Sequence, residues 1–222
     1  MKTSKIILIT FFGLIALFLL SLMIQSNPEK RKSRQLQEMK EEEIALPPIS
    51  HLVVEKGCNI EIRKGVSDSL SISYEHSTKI EGPLYFIKGD TLHFNALKEE
   101  KNIYFQLSCQ NIESISLTDA RADFRNIDIQ NLLIEAQNSS IDIDEDVSLL
   151  SATIRLQNNS NLWSNSDKMR KVKINLDHSK AELSGSQLEE LNAELRDSSE
   201  LTAPQVLQCN IKKDLASSYY SR

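Results

Sequence analysis

From Ile115 onward, apolar and polar positions alternate in short bursts that return every 19 or 20 residues. Leu117 is followed by Ala136, Leu156, Leu176 and Leu195 at steps of 19, 20, 20 and 19, and then by Ile211 after a step of 16. The surrounding phrases are ISLTDARADF, IEAQNSSIDI, IRLQNNSNLW, INLDHSKAEL and AELRDSSELT. Each has an apolar residue two places before the Leu or Ala, a polar turn of Asn, Asp and Ser after it, and then further alternation. A fixed period of this size marks a solenoid, in which each coil buries its apolar residues only against its neighbours.

The alternation within each phrase has a period of two, which is a strand and not a helix. Stacked coils then align Leu117, Ala136, Leu156, Leu176 and Leu195 as one interior ladder, with Ile115, Ile134, Ile154, Ile174 and Ala193 as a second. Ser116, Glu135, Arg155, Asn175 and Glu194 fall between them and face outward, with Glu135 next to Arg155. About 20 residues per coil matches a β-solenoid with three faces. A leucine-rich repeat has the same period but needs an LxxLxLxxN frame with a helix in each repeat, and neither recurs. QLEELNAEL looks helical and also fits the strand register.

Upstream, HLVVEK, NIEIRK, SLSISYE, LYFIK, TLHFNA and IYFQLS read as strands, separated by the turn signals KGCN, KGVSDS, EGP and KGD. The fold class expected is all-β: a parallel β-helix or β-solenoid with coils of about 20 residues over 49–222, clearest from 112.

Two segments precede it. Ile6 to Ile24 is an uncharged apolar run preceded by Lys2 and Lys5, long enough to cross a bilayer. It ends in SLMIQSN, a poor cleavage site, and no lipidation cysteine follows, so residues 1–26 read as an uncleaved signal anchor, a transmembrane helix. Residues 27–48 read as a polar stalk of good helix formers, basic and then acidic, closed by Pro47-Pro48. The basic cluster at Lys30, Arg31, Lys32 and Arg34 argues for a cytoplasmic position of the following domain, while the short basic start argues for export. The expected location is the bacterial inner membrane, with the domain in the periplasm.

The phrases of the form Leu-x-x-Ser-x-x-Leu, preceded by strands such as LVVEKGCNIEIRKG and TLHFNA, resemble the putative auto-transporter adhesin, head GIN domain family of Gram-negative envelopes. The resemblance covers about residues 49–222. It implies a right-handed β-helix, export and no established enzymatic activity. GCN at Gly57–Asn59 stands where the family has its GIN tripeptide.

Composition narrows the chemistry. Net charge is −5, and no basic stripe with interleaved aromatics occurs, which argues against nucleic acid as a partner. Six glycines form neither GxGxxG nor GxxxxGK, and no GxSxG elbow is present. Cys58, Cys109 and Cys209 lack CxxC spacing and read as small buried hydrophobes, with one disulfide compatible with an exported domain. His51, His76, His93 and His178 form no HxxxH or HxH pair and read as surface or turn residues. IDIDED lacks the glycine and final Glu of a calcium loop, so Asp142 and Asp144 read as outward strand residues.

The sequence therefore gives no catalytic residue, metal site or cofactor. Its one candidate surface is the polar corner at Asp119, Asn138, Asn158, His178 and Asp197, stacked once per coil. Such residues suit turns, and in a row they also suit hydrogen bonding to glycan hydroxyls. The expected function is a membrane-anchored envelope module for binding, adhesion or structure, with a glycan or another envelope component as partner. The alternatives are a polysaccharide-active enzyme on a β-helix scaffold, drawn from fold analogy, and an envelope-sensing regulatory protein.

Overall fold

The computed structural model describes residues 39–75, 78, 80, 82–97, 103–185 and 188–222. The apolar run Ile6–Ile24, the stalk up to residue 38 and His76 lie outside the described residues. Among the described residues no helix occurs, and none long and apolar enough to cross a membrane.

The N-terminal strands are β1 (Met39–Ala45), β2 (His51–Val54), β3 (Asn59–Lys64), β4 (Ser69–Glu75), β5 (Tyr85–Lys88), β6 (Thr91–Phe94) and β7 (Ile103–Cys109). Then come β8 (Ser114–Thr118), β9 (Arg121–Arg125), β10 (Asp128–Gln137), β11 (Ser140–Ile143), β12 (Ser148–Gln157) and β13 (Asn161–Ser164). The last are β14 (Lys171–Asp177), β15 (Lys180–Leu183), β16 (Glu190–Arg196), β17 (Glu200–Ala203), β18 (Gln208–Lys213) and β19 (Ser218–Ser221).

From β8 onward the strands alternate between two sheets. One holds β9, β11, β13, β15, β17 and β19, and the other β8, β10, β12, β14, β16 and β18, each strand parallel to its neighbours. The expected ladders are present. Ile115, Ile134, Ile154, Ile174 and Ala193 align in register, as do Leu117, Ala136, Leu156, Leu176 and Leu195, and all ten are buried. Burying a Leu or Ile side chain stabilises by about 1.5–3 kcal/mol, so each added coil extends the core by a similar increment. Arg155 Nη1 donates to Glu135 Oε1 at 2.5 Å on the outer face.

Four details differ from the sequence reading. The coil presents two sheets and not three, because the second and third sides run together in β10 and β12. There the burial alternation breaks at Gln130-Asn131 and Leu150-Ser151, which marks a corner inside one continuous strand. Ile211 pairs with Ala193 in the isoleucine ladder, while Lys213 follows Leu195, so the last step of that column is 18 residues and ends in a charge. Met39–Ala45, read as the end of a helical stalk, is an edge strand beside β4. Ser71 Oγ donates to Glu41 at 2.9 Å and the Tyr74 hydroxyl donates to Glu42 at 2.6 Å, so edge pairing overrides the helical propensity of these glutamates. Finally, Cys58 and Cys109 are buried as expected but Cys209 is exposed on β18, and all three are free thiols.

The N-terminal strands close one end. β6 and β7 stack outside β2 and β3, and antiparallel β5 and β4 cover them in turn. The chain then returns so that β8 and β9 pair with β2 and β3. Asp68 ties this crossing together. Its carboxylate accepts from the backbone N–H of Ile49 at 2.7 Å and of Gln110 at 3.0 Å.

Candidate functional site

The polar corner follows directly from the turn each coil must make. Asp119, Asn138, Asn158, His178 and Asp197 all have φ between 48° and 53°, in the left-handed region. Asn and Asp tolerate that region best among residues with a Cβ, and Gly tolerates it freely. Gly57, at φ 80°, extends the same column into the coil below, donating its N–H to the Asp119 carbonyl at 3.0 Å. Asp119 and Asn138 bond to each other, the Asn138 amide donating to the Asp119 carboxylate. His178 Nδ1 lies 3.0 Å from Asp177 Oδ1.

One or two residues further on, the side chain turns inward, and there a second column runs through the stack. Ser139, Ser160, Ser179, Ser199 and Ser217 are all buried. The Ser139 hydroxyl donates to the Gln137 carbonyl at 2.7 Å and accepts from the Ala120 N–H, one coil below, at 3.1 Å. Ser160 donates to the Gln157 carbonyl at 2.7 Å and accepts from the Ser139 N–H at 3.1 Å. Ser199 repeats the pattern, donating to the Arg196 carbonyl and accepting from the Ser179 N–H at 3.3 Å, while Ser179 donates to the Asp177 carbonyl at 2.8 Å and Ser217 accepts from the Ser199 N–H at 3.2 Å. These hydroxyls staple successive coils and satisfy backbone groups that the turn would leave buried and unpaired. The sequence reading took Asn-Ser as one polar turn. The turn divides into one or two exposed left-handed residues and a buried hydroxyl.

The upper half of the corner borders an open depression of about 300 Å³, lined by Asn159, Asn161, His178, Lys180, Asp197 and Ser198. Among the described residues, Asp177, His178 and Asp197 form the one group of three metal-type ligand atoms, all within 4.8 Å of one another. A cation already stands there. Arg196, opposite Asp177 in the strand register, is held firmly protonated by its hydrogen bond to Glu194 and by that carboxylate's charge, and Asp177 and Asp197 add to the effect. A second depression, of about 170 Å³, lies beside it on the outer face, between Arg155, Asn175, Glu194 and Arg196.

The other chemical candidates are dispersed. His51 bonds Ser114 Oγ at 2.8 Å, and His93 stacks on Phe86 with ring centroids 4.5 Å apart. Asp142 faces outward, with Arg121 at 3.8 Å, as its place between Ile141 and Ile143 required. Burial pushes the thiols of Cys58 and Cys109 up to about 12, with smaller contributions from Glu55 and Asp68, so neither is a thiolate at neutral pH. Sequence reasoning gave no role to Trp163, which stands outward on β13 with 45% of its surface exposed. Its parity could have flagged it, because it alternates with buried Leu162 and Ser164.

The geometry defines the class: a parallel β-solenoid with one closed end and regular polar faces. Solved structures share it. The fold is similar to a protein named a "putative adhesin" from Bacteroides fragilis, with a TM-score of 0.61 and 12% identity, covering 83% of this chain and 97% of that one. It is also similar to a "putative adhesin" from Parabacteroides merdae, with a TM-score of 0.56 and 10% identity over 83% of this chain and 96% of that one. At such identities the likeness shows the fold alone. No family model matches the sequence, and no curated protein matches it either.

Proposed function

We propose that the chain is a non-catalytic binding module of the bacterial cell envelope, adhesin-like in its task. The observation that carries this reading is the in-register repetition of outward polar side chains, one set per coil. Such a surface meets an extended partner at many equivalent points, whereas catalysis concentrates on one constellation. The shared fold of two proteins named putative adhesins supports the reading. So does the resemblance of residues 49–222 to the auto-transporter adhesin, head GIN domain family, which brings with it the right-handed coil. The ligand we assign to the corner at Asp119, Asn138, Asn158, His178 and Asp197 is a glycan or another envelope polymer. The Ile6–Ile24 segment anchors the module in the inner membrane, with the solenoid in the periplasm.

Two experiments test this. Isolated envelope and peptidoglycan should retain the full-length protein. Alanine at Asn138, Asn158, His178 or Asp197 should each weaken retention by about 0.5–1.5 kcal/mol per lost hydrogen bond. A product assay on the same panel decides against an enzyme: turnover abolished by one substitution, with retention intact, would overturn the module reading. Fractionation should leave the protein in the membrane pellet, released by detergent and not by salt. Protease added to spheroplasts should digest the solenoid, and full protection until lysis would reverse the orientation.

A further inference from the structure

The outer face of the first sheet carries a row that the corner does not include. Strand register aligns Asp142, Trp163, Glu182, Thr202 and Tyr220 across β11, β13, β15, β17 and β19, with Thr202 alone of the five buried. Trp163 is the one tryptophan of the chain, and Tyr220 has 52% of its surface exposed. Neighbouring strands lie about 4.8 Å apart, so the two rings stand about 14 Å apart along the stack. A carboxylate flanks the indole on each side, with a guanidinium near each, although Arg121 donates to Asp123 at 3.0 Å before it reaches Asp142. Arg121 Nη2 is 3.8 Å from Asp142 Oδ2, and Arg222 Nη1 donates to Glu182 Oε1 at 2.9 Å.

We propose that this row binds a neutral saccharide chain lying along the stack, with Trp163 stacked on the C–H face of one ring. The proposal rests on the binding-module reading but not on the corner. A sugar ring offers an apolar face and a rim of vicinal hydroxyls. The indole covers the first, removing its own exposed ring from water. Carboxylate and guanidinium groups, each presenting paired hydrogen-bonding atoms, match the second. The charge pattern selects against acidic ligands. Glu182 is matched by Arg222, whereas Asp142 and its register neighbour Asp123 share Arg121, so the row keeps a negative balance on one side of Trp163. An acidic sugar would meet the same carboxylates as like charges. A protein partner needs roughly 800 Å² of surface on each side. This row is one side chain wide and is bordered by the Lys180–Glu200 ion pair, at 2.7 Å. A narrow stripe parallel to the coil axis suits a linear polymer, which reaches Tyr220 three strands beyond Trp163. Each sugar ring meets at most one exposed aromatic side chain, so each is held weakly and affinity grows with chain length.

Because the chain has one tryptophan, its emission reports on this site alone. The full-length protein is titrated with the β-1,4-linked trimer and hexamer of N-acetylglucosamine, the glucose hexamer, and a galacturonate hexamer. The expected result is a saturable blue shift with a neutral hexamer, weaker with the trimer and absent with galacturonate. By calorimetry, Trp163→Ala should weaken the hexamer at least about tenfold, and Trp163→Phe should restore part of the loss. Tyr220→Ala should weaken the hexamer and leave the trimer unchanged. Unaltered circular dichroism melts show that the variants are folded. The proposal fails if neither neutral hexamer shifts the emission, if galacturonate alone does, or if Trp163→Ala and Trp163→Phe both bind as well as wild type. A blue shift on concentrating the protein without sugar would assign the face to a second copy instead. Envelope retention separates the two readings. Retention that survives Trp163→Ala without oligosaccharide binding removes this row and keeps the module. Absence of retention in the wild type removes the module itself.

Discussion

The N-terminal strands, Met39 to Cys109, and the stack from Ser114 to Ser221 are built from the same kind of strand by opposite rules. In the stack, chain order is spatial order, and each strand pairs with the one two places earlier. In the N-terminal part the first sheet runs β1-β4-β7-β3 and the second β5-β6-β2, so after the edge strand β1 and the inner strands β2 and β3 the chain moves out to β4 and β5 and fills the gap with β6 and β7. The cores differ too. Phe94 and Phe105 pack edge to face, with centroids 4.8 Å apart, where the stack uses mostly Ile, Leu and Ala, with Phe124 buried in its first coil. A repeat must accept an identical neighbour on both sides, which favours side chains of one size in each column. An end must refuse a neighbour, and antiparallel strands over aromatic bulk do that. The far end shows the contrast. Leu207, Cys209 and Leu215 are exposed there, and Lys213, in the leucine column, turns its Nζ to the Ser217 carbonyl at 3.0 Å.

The change expected to do most damage is Leu176→Asp in the middle of the stack. Leu176 is 1% exposed between Leu156 and Leu195, and a carboxylate there has no partner. The full-length protein should lose its cooperative urea transition by far-UV circular dichroism. An unchanged midpoint would remove the register. Phe105→Ala comes next, at about 3–5 kcal/mol, and tests whether the two regions form one cooperative unit. Trp163 emission reports on the stack and circular dichroism on both regions. If they unfold together, both midpoints fall equally. If Trp163 keeps its midpoint while the circular dichroism transition splits, the stack stands without its cap.

The cysteines give the comparison a pH dependence. Burial holds Cys58 and Cys109 in the neutral form, with thiol values raised from 9.0 to about 12. Their contribution to stability is complete below pH 9.0, where the unfolded thiols are also protonated. It is lost as pH rises toward about 12, because the unfolded chain ionises first. Urea midpoints should therefore decline over that range, and less steeply in a Cys58→Ala, Cys109→Ala variant. A thiol reagent at neutral pH should label Cys209 alone. Rapid labelling of three thiols in the folded protein would show that the cap is open.

How much of this was legible in the sequence divides along the same line. The stack announces itself because its pairing is local: Leu156 predicts Leu176 from spacing alone. Six of the seven N-terminal strands were also legible one by one, from HLVV to IYFQLS, but their order was not. The pairing of β2 with β8 joins residues 63 apart, as the contact of His51 with Ser114 shows, and no period records it. Met39–Ala45 misleads because Glu41, Glu42 and Glu43 favour a helix in isolation, and only the free edge of β4 makes them a strand. The five corner residues share the left-handed turn that their spacing predicts. The serine column behind them carries no such signal, because a change of phase of one or two residues separates an exposed turn residue from a buried staple. Trp163 was passed over for the same reason, since function there depends on which way an alternating strand points.

Two serines in one coil sharpen the case for the staple. Ser160 is fully buried with its hydroxyl bonded in both directions, and Ser164 is buried with no hydrogen-bond partner for its Oγ among the described residues. Ser160→Ala should cost about 1–3 kcal/mol, because the Ser139 N–H and the Gln157 carbonyl lose a buried partner. Ser164→Ala removes a hydroxyl that has only been desolvated, and should stabilise by up to about 1 kcal/mol. Urea melts of the two variants decide this. Equal destabilisation by both would mean that the hydroxyl column adds nothing beyond filling space.

The smallest expected effect is at Asn158, where backbone and ligand roles can be told apart. Its φ of 53° is left-handed, so Ala there should cost about 1 kcal/mol of stability, while Gly, free of that strain, should change stability by only a few tenths. Binding should rank the variants differently. If the Asn158 amide contacts an envelope polymer, Ala and Gly remove the same group and should weaken retention equally. If the corner serves only to turn the chain, Asn158→Gly should bind as wild type does, and Asn158→Ala should differ only as far as its fold is perturbed. Urea midpoints and envelope retention measured on both variants place them on two axes. Retention that follows stability and ignores the amide would assign the corner to folding, leaving the outward face of β13 and its neighbours as the surface that meets a ligand.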